Sequence, residues 1–113
     1  MHVLEVGPLP VEALAASEAF HTRALGRVRE AMAQGGDITL VFAPADYEHT
    51  GWRRAVVQEL GRLHAPARIN AVASDDAPAI AAVVNYLAAA PGVTGQYLPL
   101  DGTGAELMLY YTE

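Results

Sequence analysis

Two short polar segments contain the residue types that could carry chemistry. The first, Asp46 to His49, reads Asp-Tyr-Glu-His and could supply an acid–base pair or weak metal ligands. The second, Ser74 to Asp76, reads Ser-Asp-Asp and could bind a cation. Loop residues have no fixed geometry, so we favour a solvated loop whose Asp or Thr caps the following helix for the first segment, and helix capping for the second. The candidate pocket residues of the two segments are Asp46, Tyr47, His49, Ser74 and Asp75.

The composition is that of a small folded protein. A chain of 113 residues predicts one domain spanning residues 1–113. The sequence is 52% hydrophobic and 18% charged, which argues against disorder. Its net charge of −6 and the lack of a basic stripe argue against nucleic-acid binding. It contains no cysteine, which excludes disulfides and cysteine-ligated metals.

The expected location is the cytoplasm, without a membrane partner. No apolar run approaches the ~20 residues that a membrane span needs. The N-terminal residues Met-His-Val-Leu-Glu-Val-Gly lack a basic segment followed by an apolar core, so no secretory signal is visible.

Hydrophobic periodicity predicts alternating strands and helices. The predicted strands are residues 3–6, 37–43, 68–73 and 96–100, and a further strand could follow at 105–112. The predicted helices are residues 11–34, residues 50–64, and a third that Asp75 or Asp76 caps and Pro91 ends. This order is typical of an α/β protein with a largely parallel sheet of about four strands.

Such a sheet would leave surface uncovered. Right-handed crossovers would place the first two helices on one face. The other face would then be thinly covered, although parallel sheets are normally buried on both faces. The first strand also has no predicted neighbour on its outer edge, and an open edge invites pairing. We therefore expect the chain to be part of a larger assembly.

Both of the first two helices are predicted to be amphipathic. In the first helix, one apolar stripe contains Leu14, His21, Leu25, Val28 and Met32, and its neighbour contains Ala13, Ala16, Phe20, Ala24 and Ala31. The apolar face of the second helix contains Trp52, Val56, Leu60 and Leu63. Its polar face contains Arg53, Arg54, Gln58, Glu59 and Arg62.

Three segments, in order, resemble the C-terminal half of the short-chain dehydrogenase/reductase family. The first is Gln58-Glu59-Leu60 followed by Arg-Ile-Asn-Ala-Val-Ala at residues 68–73. The second is the helical segment Ala79 to Leu87, and the third is Val-Thr-Gly-Gln-Tyr-Leu-Pro-Leu-Asp-Gly at residues 93–102. The resemblance implies a Rossmann-like partial parallel sheet, with strands ordered as in that half of the family's fold.

The chain departs from the family at every catalytic position. It has no glycine-rich turn for a dinucleotide, and Ala43-Pro44 stands where the resemblance places a catalytic serine. The family's Tyr-x-x-x-Lys pair maps near Phe42 and Asp46, and the chain contains no lysine. Ser74-Asp75 replaces the family's Pro-Gly. The resemblance thus implies no cofactor for this chain by itself, and NAD(P) only if a partner subunit supplies it.

These features predict a non-catalytic subunit of a dehydrogenase-like assembly. In the family the two corresponding helices form the main dimer interface, so the partner would be a second copy or a full-length short-chain dehydrogenase. The residues predicted to dock are Leu25, Val28, Met32, Trp52, Val56, Leu60 and Leu63. Two alternatives remain: an accessory subunit that completes an oxidoreductase's substrate pocket, and a small-ligand binding module at the strands' carboxyl ends.

Overall fold

A four-stranded, fully parallel sheet forms the centre of the computed structural model, which describes residues 1–100. Its order is β1-β2-β3-β4. The strands are β1 (His2–Glu5), β2 (Ile38–Phe42), β3 (Ile69–Ala73) and β4 (Tyr97–Pro99). The predicted α/β class and the parallel four-stranded sheet are confirmed. The suggested strand at 105–112 lies outside the described residues.

Helices connect every pair of successive strands. They are α1 (Ala13–Ala19), α2 (Leu25–Gln34), α3 (Thr50–His64) and α4 (Ala77–Ala88). A π-helical turn, Phe20–Ala24, joins α1 to α2, and a 3₁₀ turn, Tyr47–His49, leads into α3. The long first helix predicted at residues 11–34 is therefore continuous but not uniformly α-helical.

The two central strands are buried along their whole length, as their β-branched and apolar residues predict. Alternate side chains point to opposite faces of the sheet. Leu40 and Phe42 belong to the larger apolar cluster, and we name the face they share the first face. Val41 and Val72 belong to a separate cluster on the second face.

Two helices, α2 and α3, and the π turn cover the first face. Phe20 of the π turn and Val57 and Leu60 of α3 are buried in the same cluster as Leu40 and Phe42. The Phe20 and Phe42 rings stack with their centroids 5.7 Å apart. The expectation that the first two predicted helices share one face is confirmed by this packing.

A single helix covers the second face. Val83 and Leu87 of α4 pack with Val41 and Val72. All three crossovers step across the sheet in the same direction. The helices of the first two lie on the first face, whereas α4, the helix of the third, lies on the second face. The third connection therefore has the opposite hand to the first two, against the usual right-handed rule. At the β1 end of this face Val3 and Glu5 are exposed.

The π turn changes which residues of the first helix are buried. Leu14 was expected in the core stripe but is 79% exposed, whereas Ala16, Phe20 and Ala24 are buried. Spacings of four residues drift by about 40° per step in an α-helix of 3.6 residues per turn. A wider π turn takes up that drift, and so keeps Ala16 on the same face as Val28.

Asn70 joins two of the family-like segments. Its side-chain amide donates to the Val93 carbonyl at 3.0 Å, and its side-chain oxygen accepts from the Gln96 N–H at 3.0 Å. The Thr94 hydroxyl oxygen accepts from the Ile69 N–H at 3.2 Å. These residues of the Arg-Ile-Asn and Val-Thr-Gly-Gln motifs therefore act in sheet assembly.

Candidate functional site

A cavity of about 240 Å³ opens at the carboxyl ends of β1 and β2. In parallel α/β sheets this edge is where ligands bind. Three polar side chains line the cavity: Asp46, His49 and Arg53. The remaining wall is formed by Gly7, Leu9, Pro10, Val11, Ala43, Pro44 and Ala45.

Arg53 is only 2% exposed, although the sequence pattern placed it on the polar face of its helix. This assignment was wrong because Arg53 lies in the first turn of α3, close to the end of β2. Its Nη1 donates to the Ala43 carbonyl at 2.8 Å and to the Tyr97 hydroxyl at 3.1 Å. Its guanidinium carbon lies 4.5 Å from the centre of the Phe42 ring, in cation–π geometry.

No acidic side chain among residues 1–100 forms an ion pair with Arg53. The buried Nε also has no hydrogen-bond partner there. Burying a charge without a partner costs several kcal/mol in typical proteins, and an unmatched buried donor costs about 1–3 kcal/mol. Arg53 is therefore the strongest electrostatic anomaly in the part of the chain that the structure describes.

His49 is buried beside Arg53, and both of its ring nitrogens are already bonded. Nε2 lies 2.8 Å from the Val11 carbonyl, and Nδ1 accepts from the Trp52 indole N–H at 3.2 Å. These partners assign the hydrogen to Nε2. Neither nitrogen is free to exchange a proton with a substrate, so the ring ties the loop after β1 to the start of α3.

The other predicted pocket residues separate into different surroundings. Ser74 and Asp75 line a second cavity of about 300 Å³, which shares Gly7 and Ala43 with the first. The Ser74 hydroxyl oxygen accepts from the Asp76 N–H at 3.0 Å, which fixes the turn before α4. Tyr47 is 89% exposed and lines neither of these two cavities.

The structure corrects part of the predicted docking surface. Val28 and Leu60 are buried in this chain's own core, because the first face of the sheet is broad enough to take up both apolar stripes. Leu63 is 61% exposed. The four that are partly buried against the core are Leu25, Met32, Trp52 and Val56.

Spacing along α3 is the signal that could have identified Arg53. The buried residues Arg53, Val57, Leu60 and His64 follow one another at intervals of four, three and four. The sequence pattern assigns charged residues to solvent because of their residue type, so this spacing does not enter the assignment of Arg53. Histidine at position 64 fits the same stripe, and its Nε2 lies 2.7 Å from the Gly36 carbonyl.

The turn after β1 does not suit the pyrophosphate of a dinucleotide. A pyrophosphate needs free N–H groups at a helix N-terminus and close backbone approach. Here the Glu12 carboxylate caps α1 by accepting from the Ala15 N–H at 3.1 Å. Prolines at positions 8 and 10 also remove two N–H donors from this turn. The pyrophosphate would meet a negative charge where it needs donors.

Residues 1–100 contain neither a candidate metal centre nor a candidate membrane-spanning helix. Within that range no three histidine or acidic side chains are grouped so that they could hold a metal ion. No helix there is long and apolar enough to cross a membrane.

Comparison with known proteins agrees with the topology. No curated protein and no solved structure matches the chain. A family model described as "Short chain dehydrogenase-like protein" matches residues 4–100, which include all four strands but the first two residues of β1. The chain is therefore a member of the short-chain dehydrogenase-like family.

Proposed function

We propose that this chain is a non-catalytic subunit that assembles with another chain of its family. The observation that carries the proposal is the edge strand β1, which pairs only with β2 among the described residues. Parallel sheets are normally buried on both faces, and an open edge is a template for pairing. The partner we propose is a second copy or a full-length short-chain dehydrogenase.

The open side of β1 combines backbone groups with apolar surface. The N–H groups of His2 and Val6 donate to the carbonyls of Asp37 and Val41, on the β2 side of the strand, so those of Val3 and Glu5 point away from β2. Val3 is 44% exposed beside this edge. Arg27 donates to the Glu5 carbonyl at 2.9 Å, which leaves Val3 as the main accessible part of the edge.

Residue chemistry supports the absence of catalysis by the chain itself. The family's reaction needs a tyrosine whose pKa a nearby lysine lowers, and this chain has no lysine. Arginine holds its proton too tightly to replace that lysine in a relay. Ala43 and Pro44 follow β2 where a catalytic serine is expected, and both nitrogens of His49 are bonded.

Light scattering on the purified chain tests the assembly. We expect a dimer or larger species at micromolar concentration. Val3→Lys places a charge at the open edge and is expected to weaken self-association at least tenfold, because a lysine must be desolvated there. Leu63→Lys, on the exposed side of α3, is the matched control for the predicted helix-pair interface.

The outcomes separate the two surfaces. Loss of association in Leu63→Lys but not in Val3→Lys would move the interface to the helix pair. A stable monomer that also fails to co-purify with a full-length short-chain dehydrogenase would contradict the proposal. NAD(P)H oxidation by the purified chain alone would contradict its non-catalytic part.

A second candidate function is an accessory subunit that completes a partner's substrate pocket. The cavity at the ends of β1 and β2 favours it, since it lies at the edge where the family's substrates would be expected. In this case the partner would supply NAD(P) and the catalytic residues. Substitutions that fill the cavity, such as Ala45→Leu, would then raise the partner's KM without dissolving the complex.

A further inference from the structure

We propose that the cavity beside Arg53 is a binding site for a small organic carboxylate. The site goes beyond the subunit role, and it does not depend on assembly because every group that forms it belongs to one chain. The proposal rests on a buried guanidinium that lacks a counter-charge and lines an open cavity.

The surroundings of Arg53 hold its charge but do not neutralise it. Two neutral oxygens, the Ala43 carbonyl and the Tyr97 hydroxyl, accept from Nη1. The Phe42 and Trp52 rings lie 4.5 and 5.7 Å from its guanidinium carbon. These contacts fix the orientation of the guanidinium, and an anion in the cavity would supply the missing counter-charge.

The unused part of Arg53 has the shape that a carboxylate recognises. Nη1 is occupied, Nε has no partner, and Nη2 makes no hydrogen bond to any described residue. Nε and Nη2 form one edge of the planar guanidinium, which binds the two oxygens of a carboxylate through parallel N–H···O bonds. The proposal assigns this edge to a ligand bound in the cavity that Arg53 lines.

The cavity favours a monoanion over a phosphate. Asp46 also lines it, and the chain carries a net charge of −6, so a doubly charged anion would be repelled more strongly. The volume of about 240 Å³ equals roughly eight waters at about 30 Å³ each. Leu9, Val11 and Pro44 supply apolar wall for a short hydrocarbon chain. A carboxylic acid of about four carbons matches these features.

Isothermal titration calorimetry with sodium butyrate tests the site on the full chain. Butyramide has nearly the same shape without the charge and serves as the ligand control. Inorganic phosphate tests the preference for a monoanion. We expect butyrate to bind at least tenfold more tightly than either, because charge-assisted hydrogen bonds to Arg53 discriminate between them.

A pair of adjacent substitutions tests the residue. Arg53→Gln removes the buried guanidinium and is expected to weaken butyrate binding by about 10- to 100-fold, the effect of losing hydrogen bonds to a charged group. Arg54→Gln, on the exposed side of the same helix, is the matched control and should bind butyrate as the unmodified chain does.

Side-chain NMR on the unmodified chain keeps the test valid if Arg53→Gln does not fold. The chain has seven arginines, so its Nε–H signals can be resolved and assigned. Butyrate should shift the Arg53 Nε–H signal and leave that of Arg54 in place. Equal binding of butyramide, tighter binding of phosphate, unchanged affinity of folded Arg53→Gln, or an unmoved Arg53 signal would each overturn the proposal. A chain that binds butyrate but is monomeric and fails to co-purify with a full-length short-chain dehydrogenase would refute only the assembly.

Discussion

At the scale of single residues, burial decides what a charged side chain does. Arg53 and Arg54 are neighbours in the sequence, yet one is buried in a cation–π cluster and the other is solvated. Residue type predicted the second and not the first. The helical spacing of Arg53, Val57 and Leu60 indicates that Arg53 is buried with them. A pattern based on polarity assigns charged residues to the exposed face without regard to this spacing.

Asp37 and Arg68 form the other well-built ionic contact. The Asp37 carboxylate accepts from the Arg68 backbone N–H at 2.8 Å and from its guanidinium at 2.7 Å. The Arg68 backbone N–H is the main cause that holds the pKa of the Asp37 carboxyl below its ordinary value; burial opposes it, and the Arg68 guanidinium adds to the lowering. The contact links the start of β2 to the start of β3.

We expect this contact to make stability depend on pH in the acidic range. A lowered pKa in the folded state gives stability that is complete above the unfolded value of 3.8 and lost as the pH falls through the folded value. Asp37→Asn should cost about 1 kcal/mol at neutral pH, since the pair is partly exposed. The difference from the unmodified chain should shrink below pH 3.8.

Urea unfolding at several pH values measures this dependence. Glu30→Gln removes an exposed carboxylate from α2 and is the control for a general change of charge. A difference between Asp37→Asn and the unmodified chain that stays constant down to the acid limit would show that the contact does not titrate.

At the scale of elements, strands were easier to predict than the details of helices. β2 and β3 are short, β-branched and bounded by turn residues, so periodicity and propensity agree. The π turn at Phe20–Ala24 has no comparable local signature in the sequence, and its first residue stacks on Phe42, a contact between distant parts of the chain. Leu14 was misplaced for that reason.

Close packing between α3 and the turn before β4 gives a prediction for Gly61. A Cβ added there would lie 3.0 Å from the Gly95 Cα and 3.1 Å from its nitrogen, and neither atom can rotate away. Gly61→Ala should destabilise the chain by about 1–3 kcal/mol through overpacking. Gly26→Ala, in open space on α2, should instead stabilise it by up to about 1 kcal/mol through helix propensity.

Thermal unfolding of the two variants checks this contrast. Opposite signs are the essential result, because both substitutions add the same methyl group to a helix. A stabilised Gly61→Ala variant would mean that α3 can move away from Gly95 at little cost.

At the scale of the whole molecule, the order of elements was predictable and the coverage of the sheet was not. The alternation of strands and helices fixed a parallel sheet, and the usual handedness placed the first two helices on one face. The same rule misplaces α4, whose apolar residues Val83 and Leu87 cover the second face. Val3 and Glu5 of β1 remain exposed at one edge of the sheet.

Association through that edge predicts a concentration-dependent melting temperature. Binding that favours the folded state stabilises it by mass action. We expect the midpoint to rise by several degrees over a hundredfold increase in chain concentration, and Val3→Lys should flatten this rise. Differential scanning calorimetry measures both, and a midpoint independent of concentration in the unmodified chain would count against self-association.

The carboxamide of Asn70 has a consequence for how this family's sequences can vary. One group serves as donor to Val93 and acceptor to Gln96, so an aspartate in its place would turn the donor into a repelling oxygen. One side chain thus joins two stretches that are more than twenty residues apart in the sequence. Because both partners are backbone groups, the side chains at positions 93 and 96 can change without breaking these bonds, whereas position 70 needs a side chain that carries one donor and one acceptor.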